Sequence, residues 1–142
     1  MKHFIPELEY RNIVKKIPIF CIDFLIRCDD QILLLKRNEN PLKGYYWIIG
    51  GRLLFKEKID EAAERIQKRE IGRNFKNYKL IGFSNYTYKN SHNSRALHTP
   101  TLLYEVRVKE IFKPNLDSTH TNYKWSENLP VKIKNETQFI NC

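Results

Sequence analysis

Gly50-Gly51-Arg52 is followed by Glu57, six residues after the second glycine, and Arg65 stands eight residues further on. Glu70 and Gly72 then close the run as Glu-x-Gly. Glycines allow close backbone approach, carboxylates bind hard divalent cations, and guanidinium forks grip phosphate oxygens. In this order the residues outline a loop-helix-loop that can hold a divalent metal against a diphosphate, which is the chemistry of a hydrolase.

The elements that must position these groups are legible in the surrounding pattern. At about 100° per residue, Ile59, Ala62, Ala63 and Ile66 share one heading, which predicts an amphipathic helix from Ile59 to Gly72. Glu70 lies eleven residues after Ile59, on the same stripe. A carboxylate there is costly to bury unless it meets a cation or hydrogen-bond donors. It reads as a metal ligand or as a core carboxylate satisfied by backbone amides. Glu61 and Arg65 have i,i+4 spacing for a pair, while Glu57 is expected to face Arg65 rather than a metal. Gly72 ends the helix.

Upstream, Pro6–Lys16 reads as a short helix with Pro6 in its first turn. Ile19–Arg27 and Ile32–Lys36 form a hairpin signal around Asp29-Asp30. A polar loop, Asn38–Gly44, leads to an aromatic strand, Tyr45–Ile49, that runs into the glycine pair; alone the pair would be an ordinary strand-to-helix turn, but with Arg52, Glu57 and Arg65 at this spacing it reads as the loop of the metal–diphosphate unit. Downstream strands are expected at Tyr78–Tyr88 and Thr101–Val108, separated by a polar loop bearing His92, Arg95 and His98, to which no role is given. Asn122–Trp125 reads as an edge strand, and the residues from Leu129 onward are weakly signalled. Trp47 and Trp125 read as core anchors. The whole is an α/β sandwich with a central mixed sheet.

At 142 residues the length suits one domain over residues 1–142, with an apolar fraction of 42% that fills a core. The net charge of +9 suits an anionic partner. The lysines are scattered rather than clustered, so a solvated basic surface ranks ahead of dedicated nucleic-acid binding, and charge alone does not say which anion. The longest apolar run, Ile17–Ile26, is interrupted by Pro18 and Asp23 and is too short to span a bilayer. No secretory segment is visible. Cys21, Cys28 and Cys142 are odd in number and lack metal-ligand spacing, which fits thiols in a reducing cytoplasm. A cytoplasmic location without a membrane partner is expected.

At these residues the chain resembles the Nudix hydrolase superfamily. That family's box runs Gly, five residues, Glu, seven residues, Arg-Glu, an apolar residue, any residue, Glu-Glu, any residue, Gly. Gly51, Glu57, Arg65, Glu70 and Gly72 match it, whereas Ile66 and Arg69 replace two of its glutamates and Gln67 its apolar residue. The GDP-mannose mannosyl hydrolase branch is similar in keeping the last glutamate. The likeness extends to Ile17-Pro18-Ile19 with Asp23, to Leu34–Asn38 with Pro41, Gly44 and Tyr46-Trp47, and to His120 before Tyr123-Lys124-Trp125. It spans about residues 5–130.

The resemblance implies a Nudix-type α/β/α sandwich and a Mg²⁺- or Mn²⁺-dependent reaction on a nucleotide-sugar. Attack at the anomeric carbon would release the intact nucleoside diphosphate. His120 would be the base. The Gly50 carbonyl, Glu70 and Thr119 (in place of the branch's glutamine) would hold the metal. Arg37, Arg52 and Arg65 would face the diphosphate, and Asp23 would lie near the sugar or a subunit interface. Tyr86 and Thr99 sit near the branch's remaining sugar-side positions, and a homodimer is implied. Two rival readings stand beside this one. One is pyrophosphohydrolysis of a nucleoside di- or triphosphate; the other is a Nudix-fold binding or regulatory protein without turnover.

Overall fold

The computed structural model describes residues 4–89 and 97–140, so His92, Arg95 and Cys142 lie outside it. The central strand is β1 (Cys21–Cys28). It turns at Asp29, whose φ of 51° an aspartate tolerates, into β2 (Gln31–Arg37) as the expected hairpin. On its other edge β1 runs parallel to β6 (Leu97–Arg107), from Cys21 opposite Thr101 to Arg27 opposite Arg107. The hairpin edge is shared: β4 (Ile49–Arg52) pairs antiparallel with Cys21 to Phe24, leaving the far end to β2. β3 (Tyr46–Trp47) and β7 (His120–Ser126) both pair with β2, and β5 (Tyr78–Tyr88) links β6 to β8 (Thr137–Phe139). One parallel pair among antiparallel ones makes the sheet mixed, as expected.

Both faces of the sheet are covered, which explains the continuous apolar runs in β1 and β2. With side chains alternating along each strand, Ile22, Phe24, Ile26, Leu33 and Leu35 pack against Ala62, Ala63 and Ile66 of α2 (Ile59–Ile71). Leu25, Ile32, Leu34, Tyr86 and Leu103 meet Ile133 of α3 (Val131–Glu136) on the other face. Gly72 caps α2 in the left-handed region at φ 67°. A Cβ there would lie 2.9 Å from that of Asn115, and the Asn115 amide donates to the Ile71 carbonyl at 3.0 Å. No helix among the described residues is long and apolar enough to cross a membrane.

Several local expectations change. The first helix, α1 (Glu7–Ile13), is shorter than expected; Pro6 caps it from outside, and none of its residues is buried. The glycine pair is not in a loop. Gly50 and Gly51 lie inside β4, opposite Asp23 and Ile22. A Cβ on Gly50 would come within 1.8 Å of Asp23 Oδ1 and 2.9 Å of the Ile22 carbonyl oxygen, so glycine is needed for close approach. β6 begins at Leu97 because it pairs along β5 as far as Tyr88, which places His98 in a strand beside Asn85. Glu61 does not meet Arg65; it reaches back to accept from the Lys58 amide at 2.8 Å, a helix-start contact.

Candidate active site

The stripe that buries Ile66 also carries Glu70 under the glycine strand, where it is 4% exposed. Glu70 Oε2 accepts from the Gly50 amide at 3.1 Å, and Oε1 accepts from Arg69 Nη2 at 2.9 Å. Burial pushes this carboxyl above its ordinary range, opposed chiefly by the charge of Arg69 and then by His120. The Arg69 side chain is 44% exposed, with Nε 3.8 Å from Asp117 Oδ2. Its Nη2 lies 3.3 Å from where a Cβ on Gly51 would be, so the guanidinium rests over bare glycine backbone.

Asp117 organises the segment before β7. Its Oδ1 accepts from Thr119 Oγ1 at 2.6 Å and from the Thr119 amide at 3.2 Å, and it lies 3.0 Å from His120 Nδ1. Burial alone would raise the Asp117 carboxyl, but the donors on Thr119 and His120 hold it below its ordinary value. A carboxylate only accepts, so the Nδ1 proton faces Asp117. The His120 side chain is 2% exposed.

A cavity of about 400 Å³ opens beside these groups. Arg37, Arg52 and Arg69 line it together with Gly50, Gly51 and Glu70, and Trp47, Tyr86, Tyr88 and Thr99 form part of its wall. Arg37 donates through Nε to the Pro41 carbonyl at 2.7 Å. Arg52 stacks on Tyr10, with 4.6 Å from guanidinium carbon to ring centroid. Tyr86 and Thr99 face each other across β5 and β6. Asp23 also lines the cavity at 8% exposure; burial raises its carboxyl to about 7, helped by the charge of Glu70 and opposed by Arg37 and a Trp47 hydrogen bond.

The sequence expectations therefore meet different outcomes. Asp23, Arg37, Arg52, Gly50, Glu70 and Thr119 converge on one cavity. His120 stands behind Thr119 rather than in the cavity wall. Arg65 does not face the cavity. It clamps Glu57 through Nε at 2.7 Å and Nη2 at 2.9 Å, and Nη2 also donates to the Arg52 carbonyl at 2.8 Å. That pairing was foreseen for Glu57, and it removes Arg65 from diphosphate binding. Trp125 anchors a loop by donating to the Phe112 carbonyl at 3.1 Å.

The expected metal donors do not fit a divalent cation as they stand. Both Glu70 oxygens are engaged, one of them by a cation, and the Thr119 hydroxyl donates to Asp117. Among the described residues no group of three His, Cys, Asp or Glu side chains is placed to hold a metal. Mg²⁺ demands near-octahedral oxygen ligation, and here the Arg69 guanidinium already stands against both Glu70 and Asp117. The sequence shows Arg69 and Asp117 but not their roles, because their meeting depends on how the segment before β7 folds back against α2.

Solved structures share this fold. The MutT protein of Methanosarcina mazei Go1 superposes with a TM-score of 0.67 at 22% identity, covering 84% of this chain and 91% of that one. The NUDIX domain of Shewanella oneidensis NrtR, complexed with ADP ribose, does so at 0.63 and 14% identity, covering 93% and 88%. Among curated proteins, the low-salt glycan biosynthesis protein Agl8 of Haloferax volcanii is 31% identical over 48% of this chain. The ADP-ribose pyrophosphatase of Methanocaldococcus jannaschii is 38% identical over 46%. The matched stretch spans less than half of either relative, 44% and 38%. The NUDIX domain model matches residues 18–134, most of the chain and all of the cavity's arginines, and this chain accordingly belongs to the NUDIX domain family.

Proposed function

We propose that this chain hydrolyses a nucleotide-sugar, GDP-mannose or a close relative, by substitution at the anomeric carbon, releasing GDP and free sugar. The observation that carries this reading is the convergence of Arg37, Arg52 and Arg69 on the glycine strand of one cavity. Three guanidinium groups are suited to a diphosphate whose charge grows as it departs. The printed names of relatives are in keeping with a sugar-linked nucleotide: one concerns glycan biosynthesis, and another acts on ADP-ribose.

In the proposed reaction water attacks the anomeric carbon, the bond to the diphosphate oxygen breaks, and the electron pair leaves with the diphosphate. The water proton passes to His120 Nε2 if the ring, which Asp117 orients through Nδ1 and which adjoins the cavity-lining Thr119, reaches the cavity. Asp23 gives a second reading for the base, favoured by its place in the cavity wall and a proton affinity near neutrality. Nudix hydrolases generally use divalent metals such as Mg²⁺ or Mn²⁺. Here the cavity's own arginines supply positive charge to the leaving group. A homodimer in the cytoplasm completes the proposal; light scattering tests the dimer.

Incubation with GDP-mannose, with and without Mg²⁺, should yield GDP and mannose, the sugar initially inverted by NMR. GMP with mannose phosphate would show attack at phosphorus, the pyrophosphohydrolase reading. Measurable GDP binding without any turnover across a nucleotide-sugar panel would favour a binding protein. The base is identified by mutation: His120→Ala should lower kcat by about a hundredfold or more while sparing GDP binding. If that rate is unchanged and Asp23→Asn abolishes turnover, the role passes to Asp23.

A further inference from the structure

Arg69 is adjacent to Glu70 on α2, yet their headings differ by about 100°, so their contact is not forced by helix geometry. It exists because three features draw the guanidinium inward. Glu70 is a buried carboxylate whose charge needs compensation. Asp117 offers a second negative group 3.8 Å away. Gly51, lacking a side chain, leaves room for the guanidinium to lie across the strand. The resulting cation borders the cavity beside Arg37 and Arg52.

We propose that Arg69 is a built-in substitute for a divalent cation, so that this cavity binds a nucleoside diphosphate without metal. The inference rests on reading the cavity as a diphosphate site. Arg69 compensates Glu70 and Asp117 on one side. With its side chain 44% exposed, it can present its remaining N–H groups to phosphate oxygens on the other. A divalent ion would have to displace this guanidinium and recruit oxygens that already hold hydrogen bonds.

The test is calorimetric titration of the full chain with GDP and with ADP, in excess EDTA and in Mg²⁺. The expected Kd for the better nucleotide differs by less than about twofold between the two conditions. Arg69→Gln, confirmed as folded by circular dichroism, should weaken binding about tenfold or more in both, whereas Arg69→Lys should retain most of it. Binding that appears only with Mg²⁺, or that is unchanged in Arg69→Gln, overturns the substitution while leaving the diphosphate site intact. Failure of both nucleotides in both conditions overturns the site and the inference together. A separate arm follows Mn²⁺ by electron paramagnetic resonance. The native chain should leave the ion free, and Arg69→Glu, which returns a carboxylate to this position, should capture it. Tight Mn²⁺ binding by the native chain overturns the inference.

Discussion

Two arginine–glutamate pairs lie on or against the same helix, and they have opposite characters. At the middle of α2, Arg65 grips Glu57 of the preceding loop with two nitrogens, and both side chains are nearly enclosed, at 11% and 3% exposure. Arg65 also holds the Arg52 carbonyl, so this pair fastens the loop after the glycine strand to the helix. In the last turn, Arg69 touches Glu70 through one nitrogen, with the arginine 44% and the glutamate 5% exposed. The first pair bonds to the fold on both sides, Glu57 accepting from the Leu54 amide and Arg65 donating to the Arg52 carbonyl. The second buries only its acid and leaves its base facing a cavity. Identical residue types thus divide into a fastener and a cavity-facing cation, and geometry rather than composition decides which.

The comparison is easiest to break at the fastener. Arg65→Ala strips a buried carboxylate of its partner and should cost about 3–5 kcal/mol, read as a lower denaturant midpoint. A loss below about 1 kcal/mol would mean that the pair is not structural.

Asp23 sharpens the contrast as a buried acid on the cavity side of Gly50. Its carboxyl is raised in the folded chain, so the folded state binds this proton more tightly than the unfolded one. Stability is therefore full below pH about 4 and falls as pH rises toward 7. Asp23→Asn should stabilise the protein by roughly 1–3 kcal/mol at pH 8, with no gain at pH 4. An equal effect at both pH values would assign the change to packing instead.

The smallest effect is expected at the second pair. Arg69→Gln should cost about 1 kcal/mol of stability, because the glutamine amide can still donate to the buried Glu70 carboxylate and solvent already screens the half-exposed guanidinium it replaces. Thermal melts in low and high salt measure it. A loss as large as that of Arg65→Ala would erase the distinction.

Much of the fold was legible because its signals are local. The spacing of Ile59, Ala62, Ala63 and Ile66 marks a helix wherever the chain goes, and Gly72 marks its end. The glycine pair misled because its strand character comes from pairing with Asp23 and Ile22, nearly thirty residues away. α3 and β8 were obscure because they are short, and α3 buries one residue, Ile133. Of the site, the Glu57–Arg65 clamp was readable from spacing within one loop and helix. The Arg69–Glu70–Asp117 arrangement was not, since Asp117 comes from a distant segment and a flexible arginine has many possible partners.

The close seat of Asn115 on Gly72 gives that glycine a reach beyond its own turn. Glu70 lies two residues before it, and Asp117 two residues after Asn115, so the bond from the Asn115 amide to the Ile71 carbonyl ties together the two segments that carry the acids. A side chain at position 72 would meet Asn115 and so strain the join between the helix end that carries Glu70 and the segment that carries Asp117.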